Sequence, residues 1–403
     1  MKKQIFLLIT LLSLSANELY ACTSAIFTGK VTSDGRPLLW KHRDTGEDNN
    51  RIQFFKGEKY TFFGLVNSPD RDSIIWTGTN SAGFSIMNTA SYNLKDDDVK
   101  DMDMEGYLMY KALSVCKTLD DFEKLLNRLP KPLRVEANFG VVDANGGAAY
   151  YEVNNKRFVK VDANDPKVAP NGYLIYTNYS YTGRFNEGMG YIRQQNASDI
   201  VSKKVMYSKI TPQWIFDNLS RSYYHSLLGV DLKESRYSPE NGSGWFIDQD
   251  FIPRKSSVAS IVIQGVKPGE NPEQIIMWSV LGFPPAGVAV PLWLAAGENQ
   301  PTVMISKEVA GNAYACTKAV ELKNRAFPVK RGNGNKYFNF SMIYNSEGTG
   351  YMQQLKKSEE EIYKIFTPFI QETRKNGVNK EELYKLYQKA DSIITSAYSS
   401  IQF

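Results

Sequence analysis

The chain has 403 residues, 42% of them apolar and 23% charged, a globular mixture that buries a core without staples and excludes a disordered or fibrous protein. A net charge of +5 with no Lys/Arg block is too mild for a nucleic-acid footprint. The two histidines (His42 and His225) and three cysteines (Cys22, Cys116 and Cys316) match no zinc spacing, which excludes a His-rich metal centre and a disulfide framework.

In chain order, residues 1–21 come first. Lys2 and Lys3 precede an apolar run from Ile5 to Leu14, and a short polar region ends at Ala21. This is the three-part pattern of a secretory signal peptide, so the chain is expected to be exported, to a periplasm or beyond. Residues 22–403 are then expected to form a single domain, because no Pro/Ser linker divides them. The apolar run is too short for a membrane span, and Val288–Ala296 is broken by Pro291. Three fates of the leader stay open: a cut after Ala21, a cut near Ala16 that leaves residues 17–21 as a propeptide, and lipidation of Cys22 in a lipobox that begins at Leu19.

Strand-like alternation covers Thr23–Phe27, then Pro37–Lys41 after the turn Ser33-Asp34-Gly35. It continues in Gln53–Phe55 and Tyr60–Leu65. Ser73–Thr77, Gly78–Asn80 and Gly83–Asn88 read as strand, turn, strand. Asp103–Lys117 and Leu119–Leu129 read as helices, with Leu108, Ala112 and Val115 on one apolar stripe. Phe139–Asp143 and Ala148–Val153 form an expected hairpin about Asn145-Gly146-Gly147. Tyr173–Thr177 is a strand ending at Asn178. Residues 187–230 read as largely helical, from Ala197 to Met206 and from Pro212 to Leu219. Val258–Gln264 and Gln274–Leu281 are apolar strands. Residues 325–350 read as a polar connector, and Ser358–Ile401 as two amphipathic helices split near Asn376-Gly377. Strands surrounding paired helices make the class α+β.

The residue exposed by a cut after Ala21 is Cys22. A thiol needs a base or a lowered pKa to attack an amide. A chain-terminal cysteine carries that base itself, since an α-amine titrates near ~7.7–8 whereas a lysine sits near ~10.4. Scarcity of histidine is then no obstacle. Cys116, on a helix stripe, and Cys316 read as buried small hydrophobes.

Downstream, Cys22-Thr23-Ser24-Ala25-Ile26 is followed by Ser33-Asp34-Gly35 and then Leu38-Leu39-Trp40-Lys41-His42-Arg43-Asp44. This resembles the opening of the N-terminal-nucleophile cysteine amidohydrolases: bile salt hydrolases, penicillin V acylases, relatives of isopenicillin N acyltransferase, and cysteine dipeptidases. Gly78–Asn88 resembles their Gly-x-Asn-x-x-Gly segment ending in a functional Asn. Ala137–Asp143 with Ala148–Glu152, Tyr176-Thr177-Asn178, Gly188–Arg193 and Ser257–Ile263 are similar to later family segments. The resemblance covers roughly Cys22 to Pro291.

The resemblance implies a four-layer αββα sandwich and hydrolysis of a linear, non-peptide amide through an acyl-enzyme. It implies Cys22 as nucleophile and base, Asp44 as the holder of the amine, Asn88 and Asn178 as the groups for substrate amide and oxyanion, and Arg193 as the Arg beside the nucleophile. The first Arg of the family's Arg-x-x-Asp is Lys41 here; Lys41 keeps the cation without the planar fork, and Arg43 is the other residue able to fill that role. A dipeptidase or an amine acyltransferase of the same fold is the alternative activity. A lipid-anchored binding protein with Cys22 as anchor is the alternative of another class. No cofactor or metal is expected; the partner is a small-molecule amide, with no nucleic acid and no membrane span. Oligomeric state stays open.

Overall fold

The computed structural model describes residues 21–70, 73–237, 242–308 and 310–402; the expected signal peptide, apart from Ala21, lies outside them. The N-terminal half runs β1 (Thr23–Phe27), β2 (Leu38–Asp44), β3 (Asn50–Lys56), β4 (Thr61–Asn67), β5 (Thr77–Asn80), β6 (Ser85–Ala90), α1 (Glu105–Val115), α2 (Leu119–Arg128), β7 (Ala137–Val142), β8 (Ala148–Val153), β9 (Phe158–Asp162) and β10 (Tyr173–Tyr176). Then follow α3 (Tyr191–Tyr207), α4 (Pro212–Ile215), β11 (Tyr224–His225), β12 (Val230–Asp231), β13 (Trp245–Ile247), β14 (Ser257–Gln264), β15 (Ile276–Leu281), β16 (Val290–Leu292), α5 (Tyr314–Ala326), β17 (Tyr337–Asn339), α6 (Tyr351–Asn376) and α7 (Lys380–Ser399).

Two antiparallel sheets carry the fold, ordered β10-β1-β2-β14-β15-β16 and β3-β4-β5-β6-β7-β8-β9. The second is a meander: strands next to one another are consecutive in sequence, with α1 and α2 inserted between β6 and β7. The first is built from distant segments: β2 pairs β1 on one side and β14 on the other. The sheets pack face to face, β1 and β2 against β6, β2 against β7, and β14 against β5. α1 covers β4, β5 and β6, and α2 adds Phe122, whose ring meets Phe84, Phe139 and Tyr151. On the other sheet, α3 packs on β10, α4 on β14, α5 on β15 and α6 on β16. The layers are therefore helix, sheet, sheet, helix, the αββα sandwich that the resemblance implies.

The C-terminal hairpin of α6 and α7 is fastened by a buried charge. Glu359 on α6 accepts from Arg221 Nη1 and Nη2 at 2.8 and 2.6 Å and from the Ala289 N–H at 2.8 Å. Burial opposes the ionised carboxylate and Arg221 outweighs it, so the Glu359 carboxyl stays below its usual range. Removing one partner of such a pair costs about 3–5 kcal/mol, since the other charge stays buried.

The structure shifts several sequence expectations. Gly78–Asn80 is strand, not turn; the turn follows at Ser81–Gly83. Gly78 serves close approach, since a Cβ there would lie 2.5 Å from the Phe63 carbonyl oxygen of β4 and 3.1 Å from Leu113 Cδ1 of α1. Asn80 closes the turn: its Oδ1 accepts from the Ala82 and Phe84 N–H groups, and its Nδ2 donates to the Leu113 and Cys116 carbonyls. Helix α3 begins at Tyr191 rather than Ala197, and residues 224–231 contain the small β11–β12 hairpin instead of helix. The connector at 325–350 includes β17, which pairs with β13. Helix α5 and strand β9 had no counterpart in the sequence reading.

Candidate active site

The site grows from β2, a central strand whose seven residues are all buried although four of them are polar. Side chains of a strand alternate between its faces. Leu39, Lys41 and Arg43 form one set, and the Lys41 Nζ reaches Asn88 on β6 of the facing sheet at 2.6 Å. Trp40, His42 and Asp44 form the other: the indole N–H of Trp40 donates to Ser220 and Ser260, and His42 meets Ser257. The alternation is what lets a wholly buried strand carry four polar side chains with partners on either side.

A register shift between Ser257 and Ala259 puts a bulge in β14 opposite the end of β2, so that Ser257 faces Asp44. Bulges of this kind re-aim side chains beside functional sites. Ser257 Oγ donates to Asp44 Oδ1 at 2.5 Å and accepts from the Arg254 N–H at 2.9 Å. An ionised carboxylate only accepts, which leaves His42 Nε2–H as the donor to Ser257 Oγ at 2.9 Å. Burial pushes His42 down to about 4, so it is a neutral hydrogen-bonding group. Arg254 Nη2 forms the ion pair with Asp44 Oδ2 and also reaches the carbonyl of Ala21, the residue before Cys22, at 3.3 Å.

A cavity of about 490 Å³ opens at this end of the sandwich, lined among others by Cys22, Lys41, Arg43, Asp44, Trp76 and Asn88. Cys22 is 7% exposed, with its Sγ 4.0 Å from the Asp44 carbonyl oxygen. Lys41 donates to Asn88 Oδ1 and to the Trp76 carbonyl at 2.8 Å. Because an ammonium only donates, this contact fixes the Asn88 amide with its oxygen on Lys41 and its Nδ2 free of protein acceptors among the described residues. Burial pulls Lys41 down to about 7, opposed by the charge of Cys22. The Arg43 guanidinium lies over the Trp76 ring, 4.8 Å from its centroid.

Arg193 and Asn178 sit behind Cys22, outside the cavity lining. Arg193 Nη1 donates to the Cys22 carbonyl at 2.6 Å and to Thr23 Oγ1 at 3.0 Å, and its Nη2 donates to Asn178 Oδ1 at 2.7 Å. Burial, with Arg254 nearby, lowers Arg193 to about 9. Asn178 Nδ2 donates to the Ala90 carbonyl at 2.9 Å, so this amide holds Arg193 and the end of β6 rather than facing the cavity. Gly190, which starts α3 with φ +83°, leaves room for the guanidinium where a Cβ would strike it.

The structure thus gathers Cys22, Lys41, Arg43, Asp44 and Asn88 at one cavity and places Arg193 and Asn178 beneath it. Sequence reading missed Arg254 and Ser257 as partners of Asp44; they lie 210 and 213 residues away, and a lone Arg before an apolar strand gives no local signal. It also missed Trp76, Asp103, Glu105 and Glu136 on the cavity wall. Cys116 and Cys316 are buried away from it, as expected. Among the described residues no group of three His, Cys, Asp or Glu could hold a metal ion, and no helix is long and apolar enough to cross a membrane.

No family model matches the sequence, and no curated protein matches it. Solved structures do align. An N-acylethanolamine-hydrolyzing acid amidase ortholog from Caenorhabditis elegans aligns at TM-score 0.39 and 12% identity, over 60% of this chain and 92% of that one. A variant of the conjugated bile acid hydrolase from Clostridium perfringens aligns at TM-score 0.43 and 12% identity, over 72% and 95%. Penicillin V acylase from Agrobacterium tumefaciens aligns at TM-score 0.40 and 13% identity, over 68% and 86%.

Proposed function

We propose that this chain is an exported hydrolase of linear, non-peptide amide C–N bonds, with Cys22 as nucleophile once residues 1–21 are removed. The observation that carries the reading is the cavity itself: a cysteine at the end of an expected leader lines it together with Lys41, Asp44 and Asn88. In the mature chain the α-amine of Cys22 takes the thiol proton, and the sulfur attacks the amide carbon. The negative charge that develops on the carbonyl oxygen is met by Asn88 Nδ2, a donor worth roughly 10²–10³ in rate when well aimed. The ammonium returns its proton to the leaving nitrogen as the C–N bond breaks. Water then attacks the thioester, the amine accepts a proton from it, and the acid product leaves with the thiol restored.

Asp44 is the group that would hold the terminal ammonium, and Arg254 then shares its charge. An opposite charge close by raises an amine's pKa, so Arg254 keeps the amine from becoming too strong an acceptor at neutral pH. Replacing Arg254 by Met is expected to move the acid limb of the kcat/KM profile to higher pH by about one unit, roughly a tenfold loss on that limb. Arg254→Lys should move it less. A pH–rate series reads this, and an unmoved limb with lowered activity would reduce Arg254 to a structural role.

The burial of Cys22 and Ala21 speaks against the lipid-anchor reading, since an anchor needs an exposed chain end. Mass spectrometry of the exported protein tests the proposal. A free Cys22 at the mature terminus is expected; a diacylglyceryl group on Cys22 would overturn it.

A further inference from the structure

His42 is wholly buried and takes no part in the reaction steps proposed above. It shares a face of β2 with Asp44, two residues on, and Ser257 of β14 stands between them. Ser257 Oγ lies 2.9 Å from His42 Nε2 and 2.5 Å from Asp44 Oδ1, while His42 Nε2 is 3.7 Å from that carboxylate oxygen. The hydroxyl is the link through which the imidazole reaches the carboxylate. A hydroxyl has one hydrogen to give and two lone pairs to receive with. Ser257 receives the Arg254 N–H at 2.9 Å and, from a His42 protonated on Nε2, a second N–H. Both lone pairs are then filled, and the single hydrogen points to Asp44. A His42 protonated on Nδ1 instead would turn a bare Nε2 toward Ser257 and compete with Asp44 for that hydrogen. The tautomer of His42 therefore sets the direction of the Ser257 hydroxyl.

A second observation decides the tautomer. Nδ1 of His42 is buried without a hydrogen-bond partner among the described residues. With the hydrogen on Nε2, one neutral lone pair goes unused. With the hydrogen on Nδ1, a donor is orphaned and a buried carboxylate also loses a hydrogen bond, which is the larger loss. A charged ring would orphan the same Nδ1–H. The charges acting on the ring are Asp44, Arg254 and Arg193, and burial outweighs them to keep it neutral. Asp44 Oδ1 is then held by Ser257 and Oδ2 by Arg254 Nη2, so both ends of the carboxylate are fixed.

We propose that His42 is a positioning residue: held as the Nε2–H tautomer, it turns the Ser257 hydroxyl onto Asp44 and so keeps that carboxylate aimed at the amine of Cys22. His42 lies outside the cavity lining and acts only through Ser257. The inference rests on the proposed role of Cys22 and adds to it a residue remote from the reacting atoms.

The test begins with the mature wild-type protein. It holds only His42 and His225, so nitrogen NMR of histidine-labelled protein resolves both rings, and a His42→Gln variant assigns them. His42 is expected to be neutral and protonated on Nε2 alone between about pH 5.5 and 8.5, above the value of about 4 to which burial pushes it. A hydrogen on Nδ1 in that range overturns the inference without any variant or substrate. Turnover is the second readout. His42→Leu is expected to lower kcat roughly tenfold or more, the scale on which a misplaced catalytic group acts, with KM within about twofold. His42→Gln, which keeps a side-chain N–H for Ser257, should recover most of that loss. Ser257→Ala should be at least as slow as His42→Leu, and adding His42→Leu to it should lose nothing further, because both act through one hydrogen bond. A further loss in the double variant, or a His42→Gln protein as slow as His42→Leu, overturns the inference. Full turnover by His42→Leu in a protein that needs Cys22 sinks this inference alone. Turnover that does not need Cys22 sinks the Cys22 reading, and this inference with it.

Discussion

Changing Cys22 to Ser is expected to lower amide hydrolysis by roughly 10³-fold or more, the scale on which removal of a nucleophile acts in hydrolases of this logic. A hydroxyl fits the space of the thiol, so the fold should not change, but it ionises far less readily. Iodoacetamide should inactivate the wild type with label on Cys22. The other two thiols are poor competitors: burial pushes Cys116 up to about 12 and Cys316 up to about 11. Peptide mapping after labelling checks the site, and an amide release assay checks the rate. A Cys22→Ser protein that turns over substrate as fast as the wild type would end the proposal.

The second large effect separates this mechanism from other thiol hydrolases. If one residue is added before Cys22 in a protein made without the leader, its base becomes an amide nitrogen, which accepts no proton. Activity should collapse while Cys22, Asp44, Asn88 and Arg254 all remain. The fold should tolerate the addition, because the preceding residue already has a place: Ala21 is buried and its carbonyl accepts from Arg254 Nη2 at 3.3 Å. The added residue must resist trimming, and intact mass confirms that it does. Wild-type turnover by an untrimmed, extended protein would show that the amine is not the base.

Much of this arrangement was legible in the sequence where it is local. Thr23–Phe27 matched β1 residue for residue, and the expected helices at 103–129 and 358–401 correspond to α1, α2, α6 and α7. Periodicity reads these because each element buries one face within a few turns. Lys41 and Asn88 were singled out separately, and the structure joins them by a hydrogen bond across the two sheets. Arg254 could not be seen, because its importance lies in a partner on another strand. Asn178 was expected at the substrate; one of its Nδ2 hydrogens goes to the Ala90 carbonyl and its Oδ1 accepts from Arg193, contacts that only the tertiary neighbours decide. The error at Gly78 has a plain cause as well. Glycine signals a turn in most contexts, whereas here it clears the Phe63 carbonyl of the neighbouring strand β4 as well as Leu113 of α1.

The pairing of β2 with β14 has a kinetic consequence. Thr23–Asp44 and Arg254–Gln264 must come together across more than 200 residues of chain before Asp44 gains its guanidinium partner. Loop closure over such spans precedes any reward from the contact, so folding dominated by these pairings is slow. The meander of β3–β9 pairs strands consecutive in sequence, its longest connection being residues 91–136 with α1 and α2, so its closures are far shorter and it can collapse on those helices first. A chain interrupted before residue 254 would then hold Cys22 and Asp44 at neighbouring ends of two paired strands of an unfinished sheet, without the Arg254 partner of Asp44. The surroundings of the Cys22 thiol are thereby completed only after most of the polypeptide has been made and paired back onto its own beginning.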